Sequence, residues 1–591
     1  MTTRHGSPAL RARRAALIPL ALASSVAAVT GLPAPAAAAA ADDPAAVCAA
    51  MDDGVHLRMD GRGDSLLTTS REEADAAASG RGYTDDDGVA FLAAAAAGPG
   101  SEPVHRLQHP GSGRTAYALH PARIAALQAA GYVLQATPAF HAVADAEPCL
   151  DPVYELVRPG DGQQRLAVTK GQRKELEADG FRYVGVAFHS GTDRQFSIAV
   201  IPDTQHEVHV TKANNVFTHR AQWLSDNEDA LDLRYITHTG DVVDWDTPNH
   251  EQYEKAKPGV DILDRTGIPY SFAIGNHDTM ATDVGGSARP GQDTRANQRI
   301  TDTFNAYFGV DHVENLRGAY QPGKVDNIYT TFAAGGVDWL VLHLELWPRT
   351  ETVRWADAVI AAHPEHNVIV NTHSFLTGDG SVYQTNGGYG ANSPQFLWDQ
   401  ALKKHANVRF ILSGHTGQWA YRAMTGDHGN RVAAINTTLH DTTQNPTRIV
   451  QFDTASDSMA SYVYRPWSQT YLTTAALDLD RLDLVVPAEE RVERLTARVV
   501  GLRDGGRLAP HVAASLLERL DRATRVLADG SEQRAIAAVE QFAARVRNQV
   551  RGDADDLAVR AELDAAVSRL SSLLAAVDAA EATAASTASA I

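Results

Sequence analysis

"FSIAVIPDTQ", residues 196–205, is an apolar run that stops abruptly on Pro202, Asp203, Thr204 and Gln205. A buried strand of this kind delivers a carboxylate to the loop that follows it. The pattern recurs down the chain. "YITHTGDVVD" (235–244) ends in Asp241 and Asp244, and "YSFAIGNHD" (270–278) ends in Asn276 and His277. "NVIVNTHSF" (367–375) carries His373, and "VRFILSGHTG" (408–417) carries His415. Strands that alternate with helical sequence and each end in a ligand-type residue predict an α/β fold with its site at the carboxyl ends of the strands.

These residue types suit one chemistry. Carboxylate, amide oxygen and imidazole bind Mn, Fe or Zn, and a set without cysteine argues against a structural zinc. Two such cations a few ångströms apart offset negative charge and acidify water, and an imidazole beside them can give up a proton near neutral pH.

The ordered set of Asp203, "GDVVD", "GNHD", His373 and "GHTG" resembles the calcineurin-like metallophosphoesterases, the superfamily that includes purple acid phosphatases, over roughly residues 195–466. The resemblance implies a four-layer αββα sandwich and two divalent ions. Carried over position by position, Asp241 bridges the ions, Asp203 binds the first, and Asn276, His373 and His415 bind the second. His277 becomes the acid at the leaving group, and Asp244 orients it. Two departures fall on the first metal position: "DTQ" stands where the family has Asp-x-His, and Gly417 stands where it has a second His. Gln205 lending its carbonyl oxygen, with water completing the shell, is one reading and favours a harder ion such as Mn; weak occupancy is the other. "DTQ" also occurs in a secreted bacterial branch of the superfamily.

His206, His209, His219, His238, His250, His343, His428 and His440 lie outside the ordered motif and read as surface or core residues. His440, after the strand-like "RVAAINTTL", is the best of them to replace the missing ligand. The Gly-rich stretch 376–395 and Arg289, Arg295 and Arg299 are expected at the pocket rim.

Residues 1–41 read as a signal peptide: a basic start, an apolar stretch from Ala15 to Leu32 and Ala-x-Ala spacing before Asp42. An uncleaved anchor is the alternative, and Arg13-Arg14 permits twin-arginine export. The two cysteines, Cys48 and Cys149, are expected to form a disulfide in an exported chain. Over 42–191 a unit repeats about every 49 residues, with Val55, Val104 and Val153 opening it, Tyr83, Tyr132 and Phe181 after glycines, and Phe91, Phe140 and Phe188 closing it. It predicts a threefold β-rich module whose aromatics either form a core or stack on sugars. It resembles tandem Tyr/Phe-rich repeats found beside secreted bacterial enzymes.

Residues 192–470 form the expected phosphoesterase domain and 471–487 a linker. Leu516, Leu520, Ala523 and Leu527, then Ile536, Val539, Ala543, Val546 and Val550, recur at helical spacing and predict a helical bundle over 488–578, which resembles a FIMAH domain. An Ala/Ser/Thr tail at 579–591 is expected to be disordered. A net charge of −19 disfavours a nucleic-acid-binding surface.

The sequence thus predicts a secreted or cell-surface phosphoesterase acting on phosphate mono- or diesters, with no transmembrane segment after processing. The opposing reading is a weak or inactive enzyme whose accessory domains bind cell wall or carbohydrate.

Overall fold

The structure, a computed structural model, describes residues 44–588 except 148, 389, 441–443, 529–531 and 552–553. The expected leader therefore lies outside the described residues.

Two seven-stranded sheets form the centre. In the first, Gln195–Ile201, Leu233–His238 and Tyr270–Phe272 run parallel, and Thr447–Asp453 lies antiparallel on the other side of Gln195–Ile201. In the second, Val337–Leu344, His366–Thr372, Val408–Ser413 and Arg431–Thr437 are all parallel. Parallel strands end at a common edge, so each sheet sends every following loop to the same side. Nearly every residue of these strands is buried, as expected when both faces of a sheet are covered.

The sheets meet through Phe196, Trp339, Phe410 and Phe452, which cluster with Phe196 stacked on Phe452 at 5.0 Å and Trp339 against Phe452 at 4.9 Å. Helices Val216–Asp226 and Glu251–Leu263 cover the outer face of the first sheet, while Thr350–Ala362 and Pro394–Gln400 cover the second. The order of layers is therefore αββα.

The N-terminal part holds three three-stranded sheets, each built from a hairpin, a short helix and a returning strand. At their junction Phe91, Phe140 and Phe188 form a triangle with centroids 5.5, 5.6 and 5.7 Å apart, mostly edge to face. Val55, Val104 and Val153 lie beneath them. All three closing phenylalanines are buried, as are Tyr83, Tyr132 and Phe181. The repeated aromatics are core residues and have no face to offer a sugar. Cys48 and Cys149 are bonded, with Cα atoms 6.0 Å apart, tying the first helix Pro44–Ala50 to the start of the third unit.

The C-terminal part is a bundle of four helices, Ala488–Asp504, Pro510–Ala528, Glu532–Gln549 and Ala554–Ala588, packed around one apolar core. Two sequence expectations change here. The segment read as a linker adds strands Thr470–Tyr471 and Leu477–Asp480 to the first sheet, because both pair with Ser458–Arg465. The tail read as disordered from 579 continues the last helix to Ala588. Alanine, which dominates that tail, loses no side-chain entropy in a helix and has the highest intrinsic propensity for it.

Phe140 touches both other members of the central triangle, so Phe140→Ala removes two of its three ring contacts. The expected cost is about 3–5 kcal/mol in unfolding of the N-terminal module, measured by denaturant titration. A loss below about 1 kcal/mol would show that the triangle does not hold the units together.

Candidate metal centre

The strand ends bring Asp203, Asp241, His373 and His415 together, with Gln205 Nε2 3.3 Å from Asp241 Oδ2 and Asn276 between Gly275 and His277, whose backbones lie against Asp241. Asp203 and Asp241 are each 2% exposed and His373 is fully buried. His373 Nε2 lies 3.0 Å from Asp241 Oδ2 and 3.2 Å from His415 Nδ1. Asp241, His373 and His415 make one group able to hold a cation, and Asp203, Asp241 and His440 make a second, so Asp241 is common to both.

The backbone near these side chains is tight. A Cβ on Gly275 would fall 2.0 Å from Asp241 Oδ1, and one on Gly414 2.0 Å from Asp203 Oδ1, so glycine is required at both places. Asp241 and His415 themselves take φ of 57° and 74°, the left-handed region that non-glycine residues avoid. Strain of this kind persists where the surroundings hold it, and here the hydrogen bonds do so. The His277 N–H donates to Asp241 Oδ1 at 2.9 Å, and the His415 N–H to Asp203 Oδ2 at 3.0 Å. Thr204 N donates to the Asp241 carbonyl at 3.0 Å.

Asp278, the last residue of "GNHD", had no role in the sequence reading. Its carboxylate accepts from the backbone N–H groups of Asp241 at 2.8 Å, Gly275 at 2.9 Å and Val243 at 3.1 Å, which clamps two ligand loops together. His238 works below it. Its Nδ1 accepts from Gly240 N at 3.0 Å, and its Nε2 therefore donates to Thr204 Oγ1 at 3.0 Å. Burial, with Arg220 nearby, keeps this imidazole neutral.

Burial alone pushes every carboxylate here upward. Asp203 is raised by it. At Asp241 the imidazoles of His373 and His277 outweigh burial and hold the carboxyl well below its usual range. Asp278, buried beside the Asp241 charge, is pushed up to about 7. His415 is lowered to about 3 by burial and by His373, so its ring is neutral and able to bind metal. At His373 burial lowers the pKa, but Asp241 wins and raises it to about 9. A cation bound there must displace that proton.

The residues fit a metal. His373 Nδ1 donates to the Thr239 carbonyl at 2.9 Å, which fixes the tautomer and turns Nε2 toward Asp241. Asn276 Oδ1 and Gln205 Oε1 are buried with no hydrogen-bond partner among the described residues, and the Gln205 amide faces the cluster through Nε2, 3.3 Å from Asp241 Oδ2. A cation satisfies them as a hydrogen bond would.

His277 sits beside the cluster. Its Nδ1 is 2.7 Å from the Asp244 carbonyl and 3.0 Å from Asp244 Oδ1. Burial lowers this imidazole, but Asp241 and the bonds to Asp244 raise it to about 10. Asp244 N is in turn held by Gln252 Oε1 at 2.7 Å.

The other expectations divide. Arg299 donates to the carbonyls of Leu346 and Trp347 at 3.0 and 2.8 Å and pairs with Glu345, so it braces the wall behind the site and is not a phosphate grip. Arg295 is exposed on the short helix Thr294–Asn297. His219, His250, His343 and His428 have partners elsewhere. His440, outside the ordered motif but the best of those histidines to replace the missing ligand, is in the cluster.

Among known proteins, the calcineurin-like phosphoesterase family model matches residues 196–418. A FIMAH domain model matches residues 492–572, and a domain of unknown function (DUF5648) matches residues 55–193. The uncharacterized protein YvnB of Bacillus subtilis (strain 168) is 25% identical over 317 residues, 51% of this chain and 22% of its own. The chain thus spans less than a quarter of that relative's length. Among solved structures, a dimetal phosphatase from Danio rerio is similar at a TM-score of 0.30 and 12% identity, over 49% of this chain and 100% of that one.

Asp278→Asn turns one accepting oxygen into an N–H that faces backbone donors. The expected result is a stability loss of about 1–3 kcal/mol together with a roughly 10–100-fold weaker metal affinity, read by denaturant titration and calorimetric metal titration. Unchanged metal affinity would mean that the clamp does not set the ligand loops.

Proposed function

Starting from residues 196–418 as a calcineurin-like phosphoesterase domain, we propose that this chain is a secreted, metal-dependent hydrolase of phosphate mono- or diesters. One observation carries the reading: two buried carboxylates and three imidazoles converge beside a fourth imidazole, His277, that a third carboxylate, Asp244, holds.

Asp203, Gln205 and Asp241 would hold one divalent ion, and Asp241, Asn276, His373 and His415 the other. When bound, such ions offset the phosphate charge and acidify water. The protein's own groups do the rest. The Thr239 carbonyl fixes His373, and Asp278 fixes the loop of Asp241. His277 donates through Nδ1 to Asp244, which leaves Nε2 to pass its proton to the departing oxygen. An imidazolium held by a carboxylate is the acid form at neutral pH, as the role requires.

Export is supported by the bonded cysteines and by the leader-like start of the sequence. Among the described residues no helix is long and apolar enough to cross a membrane. The rival reading, a sugar-binding protein working through the repeated aromatics, is not favoured, since those rings are buried.

His277→Ala is expected to keep the metal content and to slow esters with poor leaving groups by about a hundredfold to ten-thousandfold. An activated aryl ester, whose leaving group needs little protonation, should lose far less. His373→Ala should lose metal and activity together. Equal slowing of both ester types by His277→Ala, or release of metal, would remove His277 from the acid role.

A further inference from the structure

Gln205 and Gly417 stand where the family has histidines, so the ordered motif gives the first metal position no imidazole against two at the second, and the sequence leaves that position either completed by Gln205 and water or weakly occupied. The geometry points elsewhere. Arg431–Thr437 is the last strand of the parallel run in the second sheet, so the loop after it returns to the same edge as those carrying His373 and His415. That loop carries His440. Its Nε2 lies 3.1 Å from Asp203 Oδ2 and 3.1 Å from Gln205 Nε2. The Gln205 amide is also 3.3 Å from Asp241 Oδ2, while its Oε1 is buried and unpartnered. A half-turn of that amide about its last bond exchanges nitrogen for oxygen at the same place.

Position 417 is closed to a side chain. Gly417 has φ of 72°, and a Cβ there would lie 2.7 Å from the Gly378 Cα. The obstacle is backbone, which cannot swing aside as a flexible side chain can. His440 approaches from the loop after the neighbouring parallel strand, its ring 5.2 Å from that of His206.

We infer that His440 is the nitrogen ligand of the first metal position, completing it with Asp203, the bridging Asp241 and the amide oxygen of Gln205. The inference rests on reading the site as a metal centre. It makes the first position a set of three oxygens and one imidazole, suited to Mn, Fe or Zn, and it removes the reason to expect weak occupancy.

The test is metal binding by the full chain, stripped of metal and titrated with Co(II), Mn(II) and Zn(II) separately. Stoichiometry is read by elemental analysis after dialysis and affinity by calorimetry. Wild type should bind two ions. His440→Ala should retain one and bind the other more than about a hundredfold more weakly, a larger loss than removing an outer partner causes. His415→Ala should weaken the ion that His440→Ala keeps. Because the His440 side chain is 30% exposed, free imidazole should enter the space left by His440→Ala and restore the second ion. His440→Gln serves as a second variant, and equal apo-protein melting temperatures verify that each variant folds. Two ions held with wild-type affinity by both His440 variants would overturn the inference, as would a single ion in wild type. Two-ion binding without hydrolysis of any ester would sink the proposed function and leave this assignment standing.

Discussion

The molecule is organised around two carboxylates, Asp203 and Asp241, buried side by side. Like charges taken out of water repel each other and lose hydration, and neither cost is recovered unless positive or hydrogen-bonding groups surround them. The surroundings of this pair answer that demand. Imidazoles of His373 and His440 face the two carboxylates, and backbone N–H groups of His277 and His415 point at them. Glycines at 275 and 414 let the main chain come close enough to do so. The left-handed turns at Asp241 and His415 belong to the same arrangement, since an extended backbone would carry these donors away.

Such a centre is only as rigid as the contact between the sheets. Asp203, Asp241 and Asn276 come from the first sheet, and His373, His415 and His440 from the second. Asn371, one turn of the pleat below His373, reaches across to Thr237 Oγ1 at 2.7 Å and the His238 carbonyl at 2.9 Å. Tyr235 bonds Thr330 Oγ1 at 2.7 Å in the same plane of contact. With the aromatic cluster of Phe196, Trp339, Phe410 and Phe452 these bonds leave the sheets little room to slide, which keeps donors from opposite sheets in register.

The flanking parts are fastened to this sandwich through acidic residues at helix starts. Thr169 Oγ1 and Gly171 N, at the start of the third unit's helix, donate to the buried Asp338 at 2.5 and 3.2 Å. Arg71, at the equivalent place in the first unit, pairs with Asp229. Helix starts favour negative charge, so these contacts draw on the helix dipole as well as the side chains. The C-terminal bundle is anchored where Asn367 bonds both the N–H and the carbonyl of Val485.

The sequence by itself determined the strands, their order and which of them end in donors, because an apolar run that stops on a polar residue is a local signal. It determined the three repeat units for the same reason: period and turn chemistry are local. It could not decide whether the repeated phenylalanines face inward, since burial of Phe91, Phe140 and Phe188 requires three distant segments to meet. Asp278 was visible in its motif, yet its three backbone partners lie on two loops whose proximity only the folded chain creates. The Ala-rich tail misled through its composition, which suits both disorder and helix. His440 shows the limit most directly. Trp419–Thr425 and Arg431–Thr437 form an antiparallel hairpin, and only the pairing of the second strand with Val408–Ser413 makes it parallel to the donor strands. Which edge a loop reaches is set by strand pairing, and pairing is a long-range contact that no local pattern encodes.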